Sequence, residues 1–222
     1  MFCIGKAIGK GCAILGVSLT CLVAAYGQRY EVTPLVGVTF GGTMHLEQTG
    51  TENFYGHIAD SLSYGLAVGY RFEGDDANDH DVVEFRWRRQ DSHMYLKQDP
   101  LAVTPYSSSF RPSIAINHFM GDFTHEFTVP EARSFEPFIS GSLGAALLSA
   151  PASSAVRFAF GIGAGVKIFP SQHYGFRIKV EYLPTVMHTE LQKLVCVGGC
   201  VVVLNGGVMN QFEVSLGPAF RF

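Results

Sequence analysis

Residues 61–72, Ser-Leu-Ser-Tyr-Gly-Leu-Ala-Val-Gly-Tyr-Arg-Phe, alternate between two kinds of side chain. The bulky apolar set is Leu62, Tyr64, Leu66, Val68, Tyr70 and Phe72. The set between them is Ser61, Ser63, Gly65, Ala67, Gly69 and Arg71. A period of two residues is that of a β-strand, because successive side chains of a strand point to opposite faces. The stretch therefore predicts a strand with one apolar face and one face of small and polar groups.

Seven further segments show the same alternation, at 31–41, 83–88, 112–124, 135–147, 157–168, 174–182 and 211–222. In the segment 112–124 the parity slips near His118 and Phe119, which predicts a β-bulge there. An even number of strands of roughly ten residues suits a closed transmembrane barrel, since lipid offers the backbone no hydrogen-bond partner. We predict an all-β fold over residues 28–222, an eight-stranded antiparallel up-and-down transmembrane β-barrel.

The composition supports this class and excludes another. Of the 222 residues, 47% are hydrophobic and 16% are charged, against roughly 25% charged in soluble domains. The 18 Phe, nine Tyr and 25 Gly residues suit strands and tight turns. The formal net charge is −3 and the chain has no basic run. Nucleic-acid binding is therefore not expected.

The alternation alone does not say which face of the barrel points outward. A soluble, lipocalin-like barrel would turn the apolar face inward. The opposite face is rich in Gly, Ala and Ser, which suit a narrow lumen better than a solvated surface. We therefore predict that the apolar face contacts outer-membrane lipid. Aromatic residues near the strand ends on the periplasmic side predict an interfacial girdle, made of Tyr30, Tyr70, Phe72, Phe123, Phe127, Phe135, Phe169, Tyr174, Phe220 and Phe222.

The connections between segments alternate in length. Residues 42–60, 92–111 and 184–209 are long, and they would all be extracellular loops if both termini are periplasmic. Loops on a rigid scaffold usually carry the binding contacts, so an extracellular ligand is expected here. Within them, residues 194–204 are unusually apolar. They either extend strands seven and eight as a hairpin above the membrane, or form an apolar patch that binds a partner or a lipophilic solute.

Residues 1–27 have the pattern of a secretory signal peptide: two lysines, no acidic residue, an apolar run and small residues before the cleavage site. Cleavage is expected after Gly27, with Ala25 as the alternative. The apolar run is shorter than the roughly 20 residues of a spanning helix, which argues against an uncleaved anchor. The residues before Cys21 fit a lipobox poorly, so no lipid anchor is expected.

Removal of the signal peptide would leave two cysteines, Cys196 and Cys200. An even number of cysteines in an exported chain favours a disulfide, because the compartment is oxidising. Metal binding is the alternative interpretation, but a second pair of ligands at zinc-site spacing is missing. We predict a disulfide that closes a small loop, and no metal or cofactor.

The chain ends in Gly217-Pro-Ala-Phe220-Arg-Phe222, which resembles the C-terminal signal by which bacterial outer-membrane barrels are recognised for assembly. With the signal-peptide pattern and the eight segments, residues 28–222 resemble the OmpA/OmpX-type outer-membrane β-barrel superfamily. The sequence leans towards the OmpX or OmpW kind, since no peptidoglycan-binding domain follows. The resemblance implies location in the bacterial outer membrane. It also implies that the barrel assembly machinery is a partner, through Gly217, Phe220 and Phe222.

The inward face carries eight basic and six acidic side chains. An eight-stranded barrel is just wide enough for side chains, and an unpaired buried charge would cost several kcal/mol. We therefore predict an ion-pair network that fills the lumen, with Glu31 and Arg221 meeting near the periplasmic rim. The alternative is a selective pore lining. The residues are Arg71, Arg86, Arg88, Arg157, Lys167, Arg177, Lys179, Arg221, Glu31, Glu73, Glu84, Glu136, Glu181 and Glu213.

The sequence does not favour catalysis. Residues 161–165 lack the spacing of the dinucleotide fingerprint, and residues 140–144 lack that of the nucleophile elbow. His118 and Asp122 share a face but lie about 13 Å apart along the strand. We expect a non-catalytic outer-membrane protein with a structural or surface-interaction role. The alternatives are a narrow channel for ions or small apolar solutes and, at the loop histidines, a metal site.

Overall fold

A computed structural model of the protein describes residues 29–48, 53–73, 79–98, 111–129, 134–151, 153–187, 193–197, 200–204 and 207–222. Regular structure in these ranges is β-strand throughout. None of the described residues belongs to a helix long and apolar enough to cross a membrane. The predicted signal peptide and its cleavage site lie outside the described residues, so both stay predictions.

The described residues form twelve strands: β1 (Tyr30–Gly41), β2 (Thr43–Gln48), β3 (Asn53–Ile58), β4 (Ser61–Glu73), β5 (Asp79–Gln98), β6 (Ser113–Phe127), β7 (Phe135–Ala150), β8 (Ser153–Ile168), β9 (Tyr174–Met187), β10 (Lys193–Val197), β11 (Cys200–Leu204) and β12 (Gly207–Arg221). Eight of them close into an antiparallel wall in the order β1-β4-β5-β6-β7-β8-β9-β12, and β12 pairs with β1. The predicted fold, an eight-stranded antiparallel barrel, is confirmed.

The strands of the wall are staggered. Following the register once around the barrel from Tyr30 leads back to β1 ten residues further along, at Phe40. The path runs through Tyr70, Val83, Phe123, Gly141, Ile162, Tyr182 and Phe212. In a barrel of eight strands, such a stagger tilts the strands by about 40° to the barrel axis.

Outward and inward faces alternate along each strand. The outward side chains are apolar and exposed, as for Leu62 (69%), Ile162 (65%) and Phe176 (62%). The inward face buries charged groups, among them Arg86 and Lys167. This arrangement is that of a membrane barrel, and it is the reverse of the soluble, lipocalin-like alternative.

The bulge predicted near His118 and Phe119 is wrong. β6 pairs with β5 and β7 without a register shift, and every second side chain from Ile114 to Glu126 is buried. The parity is hard to read from the sequence because Ile114, Ile116 and Met120 point inward while other apolar residues point outward. Both faces of this strand are therefore partly apolar.

Phe169 does not belong to the predicted aromatic girdle. Its side chain is buried, and the guanidinium carbon of Arg221 lies 3.7 Å from the centre of its ring. Phe169 follows the last residue of β8, so the alternation of that strand no longer fixes its direction. It turns into the barrel and packs against the charged groups at that end.

A second sheet stands at one end of the barrel. β1 ends at Gly41, and Gly42 follows it. The positive φ angles of these two residues, 81° and 113°, need glycine. β2 and β3 then form a hairpin, and β3 pairs with the last five residues of β5, which extends beyond the barrel wall. β11 pairs with β2 and β10 with β11. We call this end of the barrel the loop end, and the end with residues 29 and 222 the terminal end.

Residues 193–204 include a hairpin of β10 and β11, and β11 also pairs with β2. The residues that would join this hairpin to β9 and β12 lie outside the described ranges, so the extension of those strands stays a prediction. In the register of the hairpin, Val197 is opposite Cys200, and Cys196 is opposite Val201. The side chains of both cysteines lie outside the part of the chain that the structure describes. The disulfide and the apolar patch remain predictions.

The seam between β1 and β12 is interrupted. Tyr30 and Phe222 exchange two backbone hydrogen bonds, of 3.2 and 2.8 Å. In an antiparallel ladder every second pair does so, which places Pro34 opposite Pro218 at a pair of this kind. Proline has no backbone N–H to donate. The ladder accordingly runs to Val32 and resumes at Val36, and two interstrand hydrogen bonds are missing in between.

Replacing Pro34 and Pro218 by valine together should stabilise the barrel. The two new N–H groups can donate across the seam, where each hydrogen bond contributes about 0.5–1.5 kcal/mol. The unfolded chain becomes more flexible, which offsets part of the gain. We expect the free energy of unfolding to rise by about 1–2 kcal/mol, measured by urea titration in lipid vesicles. Each single variant should raise the free energy of unfolding by less than the double variant does. If the double variant is no more stable than the unmodified protein, the missing hydrogen bonds do not weaken the seam.

Candidate functional site

Three cations and three anions form a cluster at the terminal end of the lumen, the rim cluster: Arg71, Lys167, Arg221, Glu31, Glu126 and Glu136. Lys167 Nζ lies 2.5 Å from Glu31 Oε1 and 2.6 Å from Glu126 Oε1. Arg221 Nη2 lies 3.2 Å from Glu31 Oε2 and 2.9 Å from Glu136 Oε2. Glu31 and Arg221 are also register partners, because β12 closes on β1.

Further into the lumen, one pair of charges stands beside an aromatic ring. Arg177 Nη1 lies 2.6 Å from Glu84 Oε2. The guanidinium carbon of Arg177 lies 5.1 Å from the ring centre of Phe138, and Lys167 Nζ lies 5.9 Å from the same centre. The buried ring of Phe138 therefore lies between the rim cluster, which includes Lys167, and the Arg177–Glu84 pair. Its contacts with both cations are favourable cation–π interactions.

A cluster of four charges occupies the middle of the lumen, the central cluster: Arg86, Lys179, Asp122 and Glu181. Arg86 donates two parallel hydrogen bonds, of 2.6 and 2.8 Å, to the carboxylate of Glu181. Its Nε lies 3.2 Å from Asp122 Oδ2. Lys179 Nζ lies 3.0 Å from both Asp122 Oδ2 and Glu181 Oε1. The Ser142 hydroxyl donates to Glu181 Oε1 at 3.1 Å.

Above the central cluster, Arg88 forms an ion pair with Glu213. Arg88 Nη2 also donates a hydrogen bond of 2.9 Å to Nδ1 of His118. A guanidinium can only donate, so Nδ1 must accept and the ring proton must sit on Nε2. His118 and Asp122 are therefore turned to different partners and do not form an acid–base pair. Neutral groups follow, with Gln211 donating to Gln90 at 3.2 Å.

Toward the loop end, a large part of the inward face is apolar. Twelve inward side chains, each at most 4% exposed, pack together as one cluster, which we call the apolar section: Ile58, Met94, Ile114, Ile116, Met120, Ala146, Leu148, Ala155, Ala159, Leu183, Met187 and Met209. This section was not predicted from the sequence, because the inward face was expected to carry small or charged side chains. Two sequence features could have indicated it: the consecutive residues Leu147 and Leu148, and the run Ile114-Ala-Ile116. In a strand, each of them places apolar residues on both faces.

Charges are balanced within each of these charged clusters. Three cations face three anions in the rim cluster, and two face two in the central cluster. The pairs Arg177–Glu84 and Arg88–Glu213 are balanced in the same way. Asp122 and Glu126 supply two of the anions. Neither was predicted, because the expected bulge obscured the parity at Asp122 and the predicted segment ended at residue 124, whereas β6 continues to Phe127.

The remaining two residues of the predicted network are Arg157 and Glu73. Arg157 is nearer the loop end, half-buried, and donates to the backbone carbonyl of Val156 at 3.1 Å. The side chain of Glu73 is outside the described part of the chain. Within the described ranges, no three His, Cys, Asp or Glu side chains are grouped so that they could hold a metal ion.

A closed wall with an apolar outside and an ion-paired inside defines a transmembrane β-barrel of the bacterial outer-membrane type. No model of a known protein family matches the chain, and no curated protein matches its sequence. Among solved structures, the chain is similar to Neisserial surface protein A, with 12% identity and a TM-score of 0.51, over 87% of this chain and 97% of that one. This likeness shows the fold alone.

Two other solved barrels align over a similar length with lower scores. The N-terminal β-barrel domain of OprF from Pseudomonas aeruginosa has 14% identity and a TM-score of 0.41, over 88% of this chain and 98% of that chain. The attachment invasion locus protein Ail of Yersinia pestis has 13% identity and a TM-score of 0.38, over 86% and 99%.

Proposed function

We propose that this protein is a non-conducting, non-catalytic barrel of the bacterial outer membrane, which contacts its partners at the loop end. The observation that carries the proposal is the burial of charge in the lumen. Lys167, Arg177, Lys179 and Arg86 are 0–2% exposed. A charged channel lining would have to face water along its length. These cations instead face carboxylates, which supports a plug.

The balance of charge and the apolar section support the same conclusion. With equal numbers of cations and anions, the described clusters carry no excess charge that would attract ions of one sign. Beyond the polar groups, an ion would also have to cross twelve packed apolar side chains. An apolar constriction excludes water and therefore blocks ions.

The loop end is the part of the protein that we propose for contacts with an extracellular ligand. The second sheet stands there, and loops held by a rigid scaffold usually carry binding contacts. At the opposite end, Phe222 is exposed on the outward face while its backbone pairs with Tyr30. We propose that Gly217, Phe220 and Phe222 are recognised by the barrel assembly machinery, and that residues 1–27 direct export.

Planar-bilayer conductance tests the plug. The protein is expressed with its full sequence and purified from outer membranes, and its heat-modifiable migration on a gel shows that the barrel is folded. In the bilayer it should give no discrete openings. The double variant Arg86→Ala/Glu181→Ala removes two bonded side chains from the middle of the plug and leaves Lys179 paired with Asp122. It should also give no openings, because the apolar section stays packed, and openings in this variant would mean that the charged clusters alone close the lumen. Reproducible openings of the unmodified protein would instead make it a narrow channel.

A further inference from the structure

The outward apolar surface is tall on one wall of the barrel. On β8, every outward side chain over twelve residue steps is apolar: Val156, Phe158, Phe160, Ile162, Ala164, Val166 and Ile168. At about 3.3 Å per residue this distance is roughly 40 Å along the strand. With strands tilted by about 40°, it is roughly 30 Å along the barrel axis.

On β5, almost opposite β8, the apolar surface is much shorter. Three outward apolar side chains, Val83, Phe85 and Trp87, lie between Asp81 and Arg89. The eight residue steps from the carboxylate to the guanidinium are about 26 Å along the strand and about 20 Å along the axis. The belt on this wall is about 10 Å shorter than on β8.

β6 repeats both limits, so the short belt is not a feature of one strand. His125 is the register partner of Asp81, and its Nδ1 lies 2.8 Å from Asp81 Oδ1. Asn117 is the register partner of Arg89, and its Oδ1 accepts a hydrogen bond of 3.4 Å from the indole of Trp87. We call the outward face of β5 and β6 between these two polar rows the narrow sector.

The polar row nearer the loop end carries full charges. Arg89 makes hydrogen bonds of 2.9–3.2 Å to the carboxylate of Asp91, and both side chains are exposed on the outward face. A charged side chain in hydrocarbon is costly, and the cost falls to about zero near the interface. Lipid around this sector must therefore bring its headgroups down to Arg89.

We propose that the narrow sector contacts a locally thinned bilayer, so that the barrel imposes a thickness gradient on the lipid around it. The proposal rests on the membrane location proposed above. An outer-membrane barrel usually presents an apolar band about 25 Å tall. The wall at β8 exceeds that height and the narrow sector falls short of it. Lipid adapts to such a mismatch by thinning at the short wall and thickening at the tall one.

Trp87 is the sole tryptophan of the chain and lies within the narrow sector, so its fluorescence reports the local depth. The protein is purified from outer membranes and reconstituted in phosphatidylcholine vesicles that carry bromine either high or low on the acyl chains. Shallow bromine should quench Trp87 at least twice as strongly as deep bromine. In the matched probe Trp87→Phe/Ile162→Trp, at the middle of the tall wall, deep bromine should quench more strongly.

A probe at the other end of the narrow sector separates thinning from a tilt of the whole barrel. In Trp87→Phe/Val83→Trp the new indole should also be quenched more strongly by shallow bromine, since a thinned bilayer brings both interfaces close. A tilted barrel would place Trp87 shallow and position 83 deep, which would overturn the proposal. The variant Arg89→Leu/Asp91→Leu lengthens the belt, and Trp87 should then move deeper, with the quenching ratio falling at least twofold.

Two further outcomes would also overturn the proposal. Deep quenching of Trp87 in the unmodified protein would mean that the bilayer keeps its thickness there. Protection of Trp87 from both bromine positions would mean that a second copy of the chain covers the narrow sector. Heat-modifiable migration of the same samples shows whether the barrel is inserted. A failure of insertion would contradict the proposed function and would be seen before any quenching is interpreted.

Discussion

Replacing Arg86 by methionine should destabilise the barrel by about 3–5 kcal/mol, the usual cost of removing one partner from a buried ion pair. Arg86 holds Glu181 with two hydrogen bonds and also contacts Asp122. Without it, two buried carboxylates share one cation, Lys179. An uncompensated negative charge then remains in the middle of the lumen.

This loss is measured by titrating the refolded barrel in vesicles with urea. The folded fraction at each urea concentration is read from heat-modifiable migration on a gel. The double variant Arg86→Met/Glu181→Met leaves Lys179 facing Asp122 alone, so balance is restored and most of the stability should return. Arg71→Met is the matched control, because Arg71 lies in the rim cluster and its side chain is 17% exposed. If Arg86→Met were no more harmful than Arg71→Met, the central cluster would not stabilise the fold.

Alanine at Gly217 should prevent the barrel from closing. A Cβ at this position would overlap the backbone carbonyl oxygen of Pro34 on β1. That oxygen belongs to the neighbouring strand at the interrupted seam, and it can move only if the seam opens. We expect a loss of about 3 kcal/mol, at the upper end of the usual cost of overpacking. Little protein should then show heat-modifiable migration after refolding.

Gly141→Ala on β7 is the matched control, because a Cβ there meets no atom within 4 Å. Its stability should change by less than about 0.5 kcal/mol. Refolding in vitro also separates two roles of Gly217. A steric role predicts the defect in purified protein, whereas a role in recognition by the assembly machinery alone predicts normal refolding in vitro and low levels in cells.

The alternation of β1, β4, β8 and β12 could be read from the sequence because lipid selects bulky apolar residues on one face while the narrow lumen selects small or charged ones on the other. The alternation of β6 could not be recognised in this way. Its inward residues change from charged, at Glu126, to apolar, at Ile114, so the two faces do not differ in character along the whole strand. A wrong parity moves every side chain to the other face, and this is why Asp122 was missed. Glu126 was missed because the predicted segment ended at residue 124, three residues before the end of β6.

Partners across the lumen are a different problem. Arg86 and Glu181 are 95 residues apart in the chain. Which inward residues share a level depends on the stagger of ten residues around the wall, and alternation within single strands contains no information on that stagger. The second sheet was missed for a related reason. Its strands β2, β3, β10 and β11 are five or six residues long, too short for a clear period.

β5 is the one described strand that belongs to both the barrel wall and the second sheet. Its residues 79–93 pair with β6, while residues 94–98 pair with β3. A pull on the loop end, for example by a bound particle under flow, would therefore load β5 along its own axis. The hydrogen bonds to β4 and β6 lie across that axis, so they would share the load and yield together. β5 therefore connects the second sheet mechanically to the barrel wall, and Arg86 and Arg88 lie in the middle of this strand.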